Sequence, residues 1–370
     1  MTTVYINGKF IGQRVTGVQR VASRLVQALD ARLSEAGSDA DTRWVLLCPP
    51  EGEPPQLQRI EVHRIGTVAA GLHFWEQVFL PLASRRGVLL SLAGSAPALK
   101  AKQVCTFHDA AIFDQPQAYS RRFLLWYRFL FKWLSRRARL VITVSDFSRS
   151  RLMTHLGVAP DRIAVVRSGC EHLDAVVPDP NILKKFGLKP ERYFMVVGSA
   201  NPTKNHAGVI RAFRALQIDP EVRLVIVGGG PEAVFADAGP ASEGEAIIRT
   251  GRANDAQLKA LYQHAAALVF PSFYEGYGLP PLEAMACGCP VVAASAASLP
   301  EVCGDAAAYV DPHSIEQISA VMQALLDDSL LRDEFRRKGA AHATRLTWPV
   351  AASSLLASLS RAGLTGAAPE

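Results

Sequence analysis

The chain has 370 residues, 49% of them apolar, and a formal charge of +6. That length exceeds one typical core and that apolar content excludes wholesale disorder, so two domains are expected. The mild basicity suits an anionic substrate or a membrane surface; no nucleic-acid-binding signature accompanies it, so no nucleic-acid partner is expected.

Apolar runs alternate with amphipathic segments from the start. TVYING (3–8) reads as a strand and GVQRVASRLVQALDARL (17–33) as a helix. WVLLCP, RGVLLSLAG, KQVCTFHD, ARLVITVSD and RIAVVRSG follow as strands. Such alternation predicts a parallel sheet covered by helices. After Ser168 the pattern loosens into GCEHLDAVVPDPNILKKFGLKPE, rich in proline and charge. This places an N-terminal domain over 1–172 and a linker over 173–190. A second set of strands begins at RYFMVVGS (192–199) and continues through VRLVIVGGG, AALVFPS and CPVVAAS, giving a C-terminal domain over 191–346. The expected α/β architecture is two doubly wound domains facing a cleft. The tail, 347–370, predicts one helix over 348–364 and a frayed GAAPE.

Several classes are excluded by motif. The first strand is followed by NGKFIGQRVTGVQR, which lacks the G-x-G-x-x-G of a dinucleotide-binding domain, and GSANPTKN (198–205) lacks the second glycine and hydroxyl of a phosphate loop. The one D-x-D, Asp39-Ala40-Asp41, sits in a polar loop and reads as chance, not as a metal clamp. No other carboxylate pair is credibly placed to hold Mg²⁺ or Mn²⁺, so no metal and no cofactor are expected. The six cysteines include no C-x-x-C, and Cys105 and Cys289 read as small core residues. The N-terminus lacks the pattern of a signal peptide and no apolar run reaches 18 residues, so a reducing cytoplasm is the expected compartment.

The stretch FYEGYGLPPLEAMACGCPVVA (273–293) carries the chemistry. Glu275 follows the predicted strand ALVFPS, at the edge that lines the ligand crevice of an open α/β sheet. Gly276 and Gly278 let backbone N–H groups approach a ligand, and Pro280 and Pro281 suit a helix start. The helix is expected to end at Gly288, with Glu283 in its first turn and its positive terminus turned to a diphosphate. A carboxylate accepts two hydroxyl hydrogen bonds well, so two of them suit a sugar and a ribose.

This stretch resembles the nucleotide-sugar signature of the family-4 retaining glycosyltransferases, which have the GT-B fold. TGVQRVASRLVQAL, VSDFSRSRL (144–152), TGRANDAQLKALYQHAAALVFPS (250–272) and SLPEV (298–302) resemble further segments of that family in the same order. The resemblance implies that the C-terminal helix returns to the N-terminal domain. It implies that Glu275 contacts the donor sugar, that Glu283 holds the ribose, and that Gly278 and Leu279 offer backbone N–H groups. Gly17 lies in the first glycine loop, and His108 in FHDAAIFDQPQAYS stands where the family places a histidine near the reacting centre. Ser145 either faces the donor or caps a helix. Lys204, before a helix capped by Asn205, is placed to neutralise a leaving diphosphate. The family's arginine slots hold Ser199 and Thr203 instead, so Arg252, or Arg14 or Arg20, is the expected assistant. The implied reaction moves a hexose, by resemblance mannose from GDP-mannose, onto a glycan or lipid-linked acceptor with retention. A UDP- or dTDP-sugar donor is the alternative, and a non-catalytic nucleotide-sugar-binding subunit the alternative of another class.

One stretch falls outside that signature. RRFLLWYRFLFKWLSRRAR (121–139) has seven basic residues and no acidic one. At about 100° per residue, Arg121, Arg128, Lys132, Arg136 and Arg139 share one narrow face. The expectation is a helix that packs its broad apolar side inward and leaves a basic ridge for an anionic membrane surface.

Overall fold

Most strands of this chain are apolar on both faces, as parallel strands covered by helices on each side must be. The computed structural model describes residues 2–35, 42–217, 219–228 and 246–365. Asp39, Asp41, the last two glycines of VRLVIVGGG and the tail GAAPE lie outside the described residues. The chain divides into two units, Met1–Gly169 with Thr347–Glu370, and Cys170–Leu346.

The first unit holds β1 (Thr2–Asn7), β2 (Thr42–Cys48), β3 (Glu61–Arg64), β4 (Val88–Ser91), β5 (Gln103–Thr106), β6 (Leu140–Thr143) and β7 (Ile163–Val165). They form one parallel sheet in the order β3-β2-β1-β4-β5-β6-β7. β4, β5 and β6 are buried at every position, whereas the edge strand β3, Glu-Val-His-Arg, is exposed throughout. Charges on an open edge discourage pairing with another chain. The C-terminal helix, Trp348–Arg361, is part of this unit: Trp348, Ala351, Ala352, Leu355 and Leu359 join Ala22, Leu25, Val26 and Leu29 of the helix Gly17–Glu35 in one core.

The second unit holds β8 (Tyr193–Gly198), β9 (Arg223–Gly228), β10 (Ile247–Gly251), β11 (Ala267–Phe270), β12 (Val291–Ala294) and β13 (Ala308–Val310). Their order is β10-β9-β8-β11-β12-β13, again all parallel. The segment expected as a linker, 173–190, belongs to this unit. It carries a short helix, Asn181–Lys185, whose Ile182 and Leu183 are buried, and Lys259 Nζ donates to the carbonyls of Leu173 at 2.9 Å and Asp174 at 2.8 Å. Its prolines shape local turns without freeing the chain from the core.

The basic helix, Arg121–Arg137, differs from its expected orientation. Leu130, Phe131 and Leu134 are buried, but Leu125, Trp126, Phe129 and Trp133 face solvent at 75, 46, 54 and 36% exposure. Arg128 is turned inward, donating from Nε to the Ile112 carbonyl at 2.8 Å and lying 5.6 Å from the centre of the Phe113 ring. Arg139 falls past the helix end. Of the expected basic face, Arg121, Lys132, Arg136 and Arg139 are exposed and Arg128 is not; the solvent side also carries Arg122, Arg137 and an aromatic stripe where only basic residues were expected. The inward side needs only a few apolar positions, and the remaining aromatics are left outside.

Leu355 is fully buried where the C-terminal helix meets the helix Gly17–Glu35. Leu355→Ala is expected to lower stability by about 3 kcal/mol, the usual cost of such a cavity, read from urea unfolding; a loss below about 1 kcal/mol would show that this contact is dispensable.

Candidate functional site

In a doubly wound sheet the ligand crevice lies at the carboxyl ends of the strands where the order reverses. In the second unit that point lies between β8 and β11. The segment leaving β8 carries Lys204 on a single turn, Pro202–Lys204, closed by Asn201, whose Oδ1 accepts from the Thr203 N–H at 3.0 Å and from Thr203 Oγ1 at 2.9 Å. The segment leaving β11 carries Glu275. Lys204 Nζ donates to Glu275 Oε1 at 2.6 Å, so the residue expected at the diphosphate and the one expected at the sugar are paired with each other. Both remain partly open, at 22 and 11% side-chain exposure. The Lys204 ammonium also lies 5.2 Å from the centre of the Phe270 ring. Asn205 does not cap the following helix. It is buried in a left-handed conformation, and its Nδ2 donates to the carbonyls of Pro271 at 3.2 Å and Pro312 at 2.7 Å, binding the two loops together.

The loop after β11 is fixed from behind. Ser298 Oγ, fully buried, donates to the carbonyls of Glu275 and Tyr277, each at 3.0 Å. Gly278 has φ of +102°, and a Cβ there would stand 2.7 Å from Leu299 Cδ2, so only glycine fits. The helix begins at Leu279 and ends at Ala286, short of the expected Gly288. Its second and third residues are prolines, which have no N–H, so the donors at this terminus are concentrated on Gly278 and Leu279.

Glu283 is the fifth residue of that helix, beyond the first turn, and only 4% exposed. Its Oε1 accepts from His172 Nε2 at 2.9 Å and its Oε2 from the Tyr262 hydroxyl at 3.1 Å. Burial, then the neighbouring Glu283, pushes the Tyr262 phenol well above its usual range, so it stays a donor. Neither His172 nor Tyr262 was legible as functional: one sits in the irregular stretch read as a boundary, the other at an interior position of the helix Asp255–His264.

The other expected cations are dispersed. Arg252 is exposed directly after β10, two strands from β8 and so about 10 Å away at ordinary strand spacing. Ser199 is exposed, and Thr203 is buried in its bond to Asn201. Next to Lys204, His206 is 8% exposed and neither ring nitrogen has a hydrogen-bond partner among the described residues. Burial, Lys204 and Arg249 depress its pKa to about 4. Among the described residues no group of three or more His, Cys, Asp or Glu is placed to hold a metal ion.

In the first unit His108 follows β5. Its Nε2 donates to the Leu92 carbonyl at 2.9 Å, which leaves Nδ1 as the acceptor of the neutral ring. Burial holds its pKa below the usual histidine value, partly offset by that bond. Ser145 is fully buried and caps the helix Asp146–Leu156, accepting from the Ser148 N–H at 3.1 Å; of its two readings, this is the capping one. Gly17 is the exposed first residue of its helix, and a Cβ there would meet nothing within 4 Å. Arg14 is exposed just ahead of it. Where β1 and β4 diverge lies a cluster that the sequence did not announce. Lys9 Nζ donates to Glu76 Oε2 at 2.7 Å and Ser95 Oγ at 3.1 Å, and Glu76 Oε1 accepts from Asn7 Nδ2 at 3.0 Å and Ser95 Oγ at 2.8 Å. Lys9 and Glu76 are 3 and 0% exposed, so this pair is sealed.

Two parallel sheets, each reversing its strand order near the middle, are the two halves of the GT-B fold. Residues 15–172 match the family described as Glycosyltransferase Family 4 and residues 179–342 that described as Glycosyl transferases group 1. The chain is 36% identical, over 67% of its own length and 67% of the other's, to the O-antigen chain mannosyltransferase B of Escherichia coli. Two solved structures share the fold: a sucrose-phosphate synthase from Thermosynechococcus elongatus (TM-score 0.75, 17% identity, 96% of this chain and 97% of that one) and Anabaena HepE in complex with UDP-glucose (TM-score 0.70, 16% identity, 97% and 100%). The chain belongs to the family-4, group 1 glycosyltransferases and is an enzyme of that class.

His206 makes the second unit acid-sensitive. Its folded pKa of about 4 lies below the ordinary 6.5, so under pH 6.5 the unfolded chain takes up a proton that the folded one refuses. Stability is unaffected above pH 6.5 and is lost progressively as pH falls toward 4, by about 2 kcal/mol at pH 5. Urea unfolding of wild type and His206→Leu at pH 7 and pH 5 is expected to show that much less acid destabilisation in the variant; equal losses would place the acid-labile group elsewhere.

Proposed function

We propose that this glycosyltransferase moves mannose from GDP-mannose onto a hydroxyl of a glycan or lipid-linked oligosaccharide in polysaccharide assembly, with retention at the anomeric carbon. The observation that carries the reading is the Lys204–Glu275 pair across the strand reversal of the second unit; Glu283, eight residues beyond Glu275, is held separately by His172 and Tyr262. The choice of mannose rests on the kinship to a mannosyltransferase. A UDP-sugar is the second reading, favoured by the shared fold with a protein solved with UDP-glucose.

The chemistry follows from charge. When the sugar–phosphate bond breaks, negative charge grows on the leaving diphosphate, and stabilising it is the main electrostatic task. Lys204 supplies a cation there, and Gly278 and Leu279 supply N–H donors. Glu275 accepts hydroxyls of the sugar and Glu283 those of the ribose. The departing phosphate oxygen takes the acceptor proton, on the same face as the attack, so no protein nucleophile is required. Because Lys204 carries the charge, we read the transfer as metal-independent.

We also propose that the helix Arg121–Arg137 rests on an anionic leaflet. No helix among the described residues is long and apolar enough to cross a membrane. Leu125, Trp126, Phe129 and Trp133 would enter the interface, where aromatic rings are favoured, while the bordering Arg and Lys side chains meet lipid phosphates. Each basic residue near such a surface contributes about 1 kcal/mol. An enzyme acting on lipid-linked acceptors gains by that docking.

Lys204→Ala is expected to lower kcat by about 10²-fold, the effect of losing one transition-state donor. Glu275→Gln is expected to weaken GDP-mannose by about tenfold and to leave free GDP as tight or tighter, because the variant frees Lys204. Steady-state kinetics and calorimetry check both; turnover of Lys204→Ala within threefold of wild type would make Lys204 an ordinary surface lysine. For the membrane, wild type is expected to float with anionic vesicles at low salt and less at high salt, and the triple variant Lys132→Glu, Arg136→Glu, Arg137→Glu to stay behind. Wild type remaining in the aqueous fraction at low salt would overturn the docking.

A further inference from the structure

Two residues with no assigned role are built around Glu283. A glutamate on a helix surface has three rotatable bonds and points nowhere in particular. This one is held at both oxygens, by His172 Nε2 at 2.9 Å and by the Tyr262 hydroxyl at 3.1 Å. Both donors are themselves immobilised. The His172 side chain is fully buried, on the turn Glu171–Leu173. That turn is pinned on one side by the Cys170 N–H donating to the Leu346 carbonyl at 3.0 Å, and on the other by Lys259 Nζ on the carbonyls of Leu173 and Asp174 at 2.9 and 2.8 Å. Tyr262 is fully buried on the helix Asp255–His264, whose start is fixed by a reciprocal bond between Asn254 and Gln257.

A carboxylate has about four lone-pair positions. His172 and Tyr262 each occupy one, on different oxygens, and leave one on each. Two acceptors at a fixed separation match the two neighbouring hydroxyls of a ribose, and match poorly a sugar that lacks one of them. A buried acceptor left without its donor is costly, which is why sites built to bond a hydroxyl reject analogues that lack it far better than apolar pockets do.

We propose that His172 and Tyr262 are positioning residues that aim Glu283, and that the aimed carboxylate makes the enzyme select ribonucleotide donors over 2′-deoxyribonucleotide donors. This rests on the reading of Glu283 as the ribose-binding residue. The selection is a property of the ribose end and holds whether the base is guanine or uracil, and it disfavours donors built on thymidine diphosphate, whose sugar has no 2′-hydroxyl.

The test is calorimetric titration of the full chain with GDP and UDP, each against its 2′-deoxy counterpart. Wild type is expected to bind the better ribonucleotide about tenfold more tightly than its deoxy form. Tyr262→Phe, which removes one oxygen and keeps the ring, and His172→Leu are expected to shrink that ratio below about threefold. His172→Gln, whose side-chain amide can donate in place of Nε2, is expected to restore most of it. Glu283→Ala is expected to abolish it. If Glu283→Ala abolishes the ratio while Tyr262→Phe and His172→Leu weaken both ligands equally and leave the ratio intact, the two residues only support the fold and the proposal is overturned. If wild type shows no preference at all, the ribose reading of Glu283 falls, and the proposal with it. Tyr262→Phe keeps the comparison decisive should His172→Leu not fold.

Discussion

Each sheet of this enzyme is begun at its middle. β1 and β8 are laid down first; the chain winds outward to one side, through β3 and β10, and then crosses back to β4 and β11 on the other. Right-handed crossovers then place the covering helices on opposite faces, and the segments leaving the two central strands must part. Their carboxyl ends are left as the one place along the sheet where polar loops can gather without burying unpaired backbone. Lys204, Glu275 and the Gly278–Leu279 donors stand there in the second unit, and Lys9, Ser95 and Asn7 in the first.

The same topology thus produces a lysine–glutamate pair in each unit, with opposite consequences. The Lys9–Glu76 pair is sealed, and its cost of desolvation is offset by Asn7 and Ser95, which bond the glutamate's other oxygen. Removing one member of such a pair strands a buried charge, at about 3–5 kcal/mol, so it acts as a clasp between the loops after β1 and β4 and the helix Leu72–Ala83. The Lys204–Glu275 pair is partly open to solvent and lacks such a closed set of partners. On the proposed reading its two groups exchange partners with a ligand: a diphosphate takes the place of the carboxylate beside Lys204, and sugar hydroxyls that of the ammonium beside Glu275. A pair that only stabilised the fold would not need that openness.

The absent arginines look different once the surroundings are known. Thr203 is buried and committed to Asn201, and the turn it completes is what sets the direction of Lys204. A long cation in that slot would have to leave the turn. On the proposed reading, the diphosphate would therefore meet one cation, Lys204, and two neutral backbone donors. The neighbouring His206, held neutral by burial and by Lys204 and Arg249, adds no charge.

Much of this protein was written in its sequence, because the signals were local. Apolar runs of β-branched residues marked most strands, and Glu275, Glu283, Gly278 and the two prolines lie within one short stretch whose chemistry follows from residue type and spacing. Lys204 was visible because it directly follows a strand. Three strands escaped notice: β3, four exposed residues at an edge, β13, three residues long, and β10, whose Ile-Ile-Arg-Thr-Gly lacks a sustained apolar run. Short edge strands are fixed by a neighbour's hydrogen bonds, not by their own composition. The orientation of the helix Arg121–Arg137 was likewise undetermined by periodicity, since aromatic residues surround most of it and only the packing of Leu130, Phe131 and Leu134 decides which side turns inward. Tertiary structure alone decided the rest. It paired Lys204 with Glu275 across 71 positions and set His172 against Glu283 across 111, because hydrogen bonds between residues so far apart in sequence exist only after the strands have been ordered.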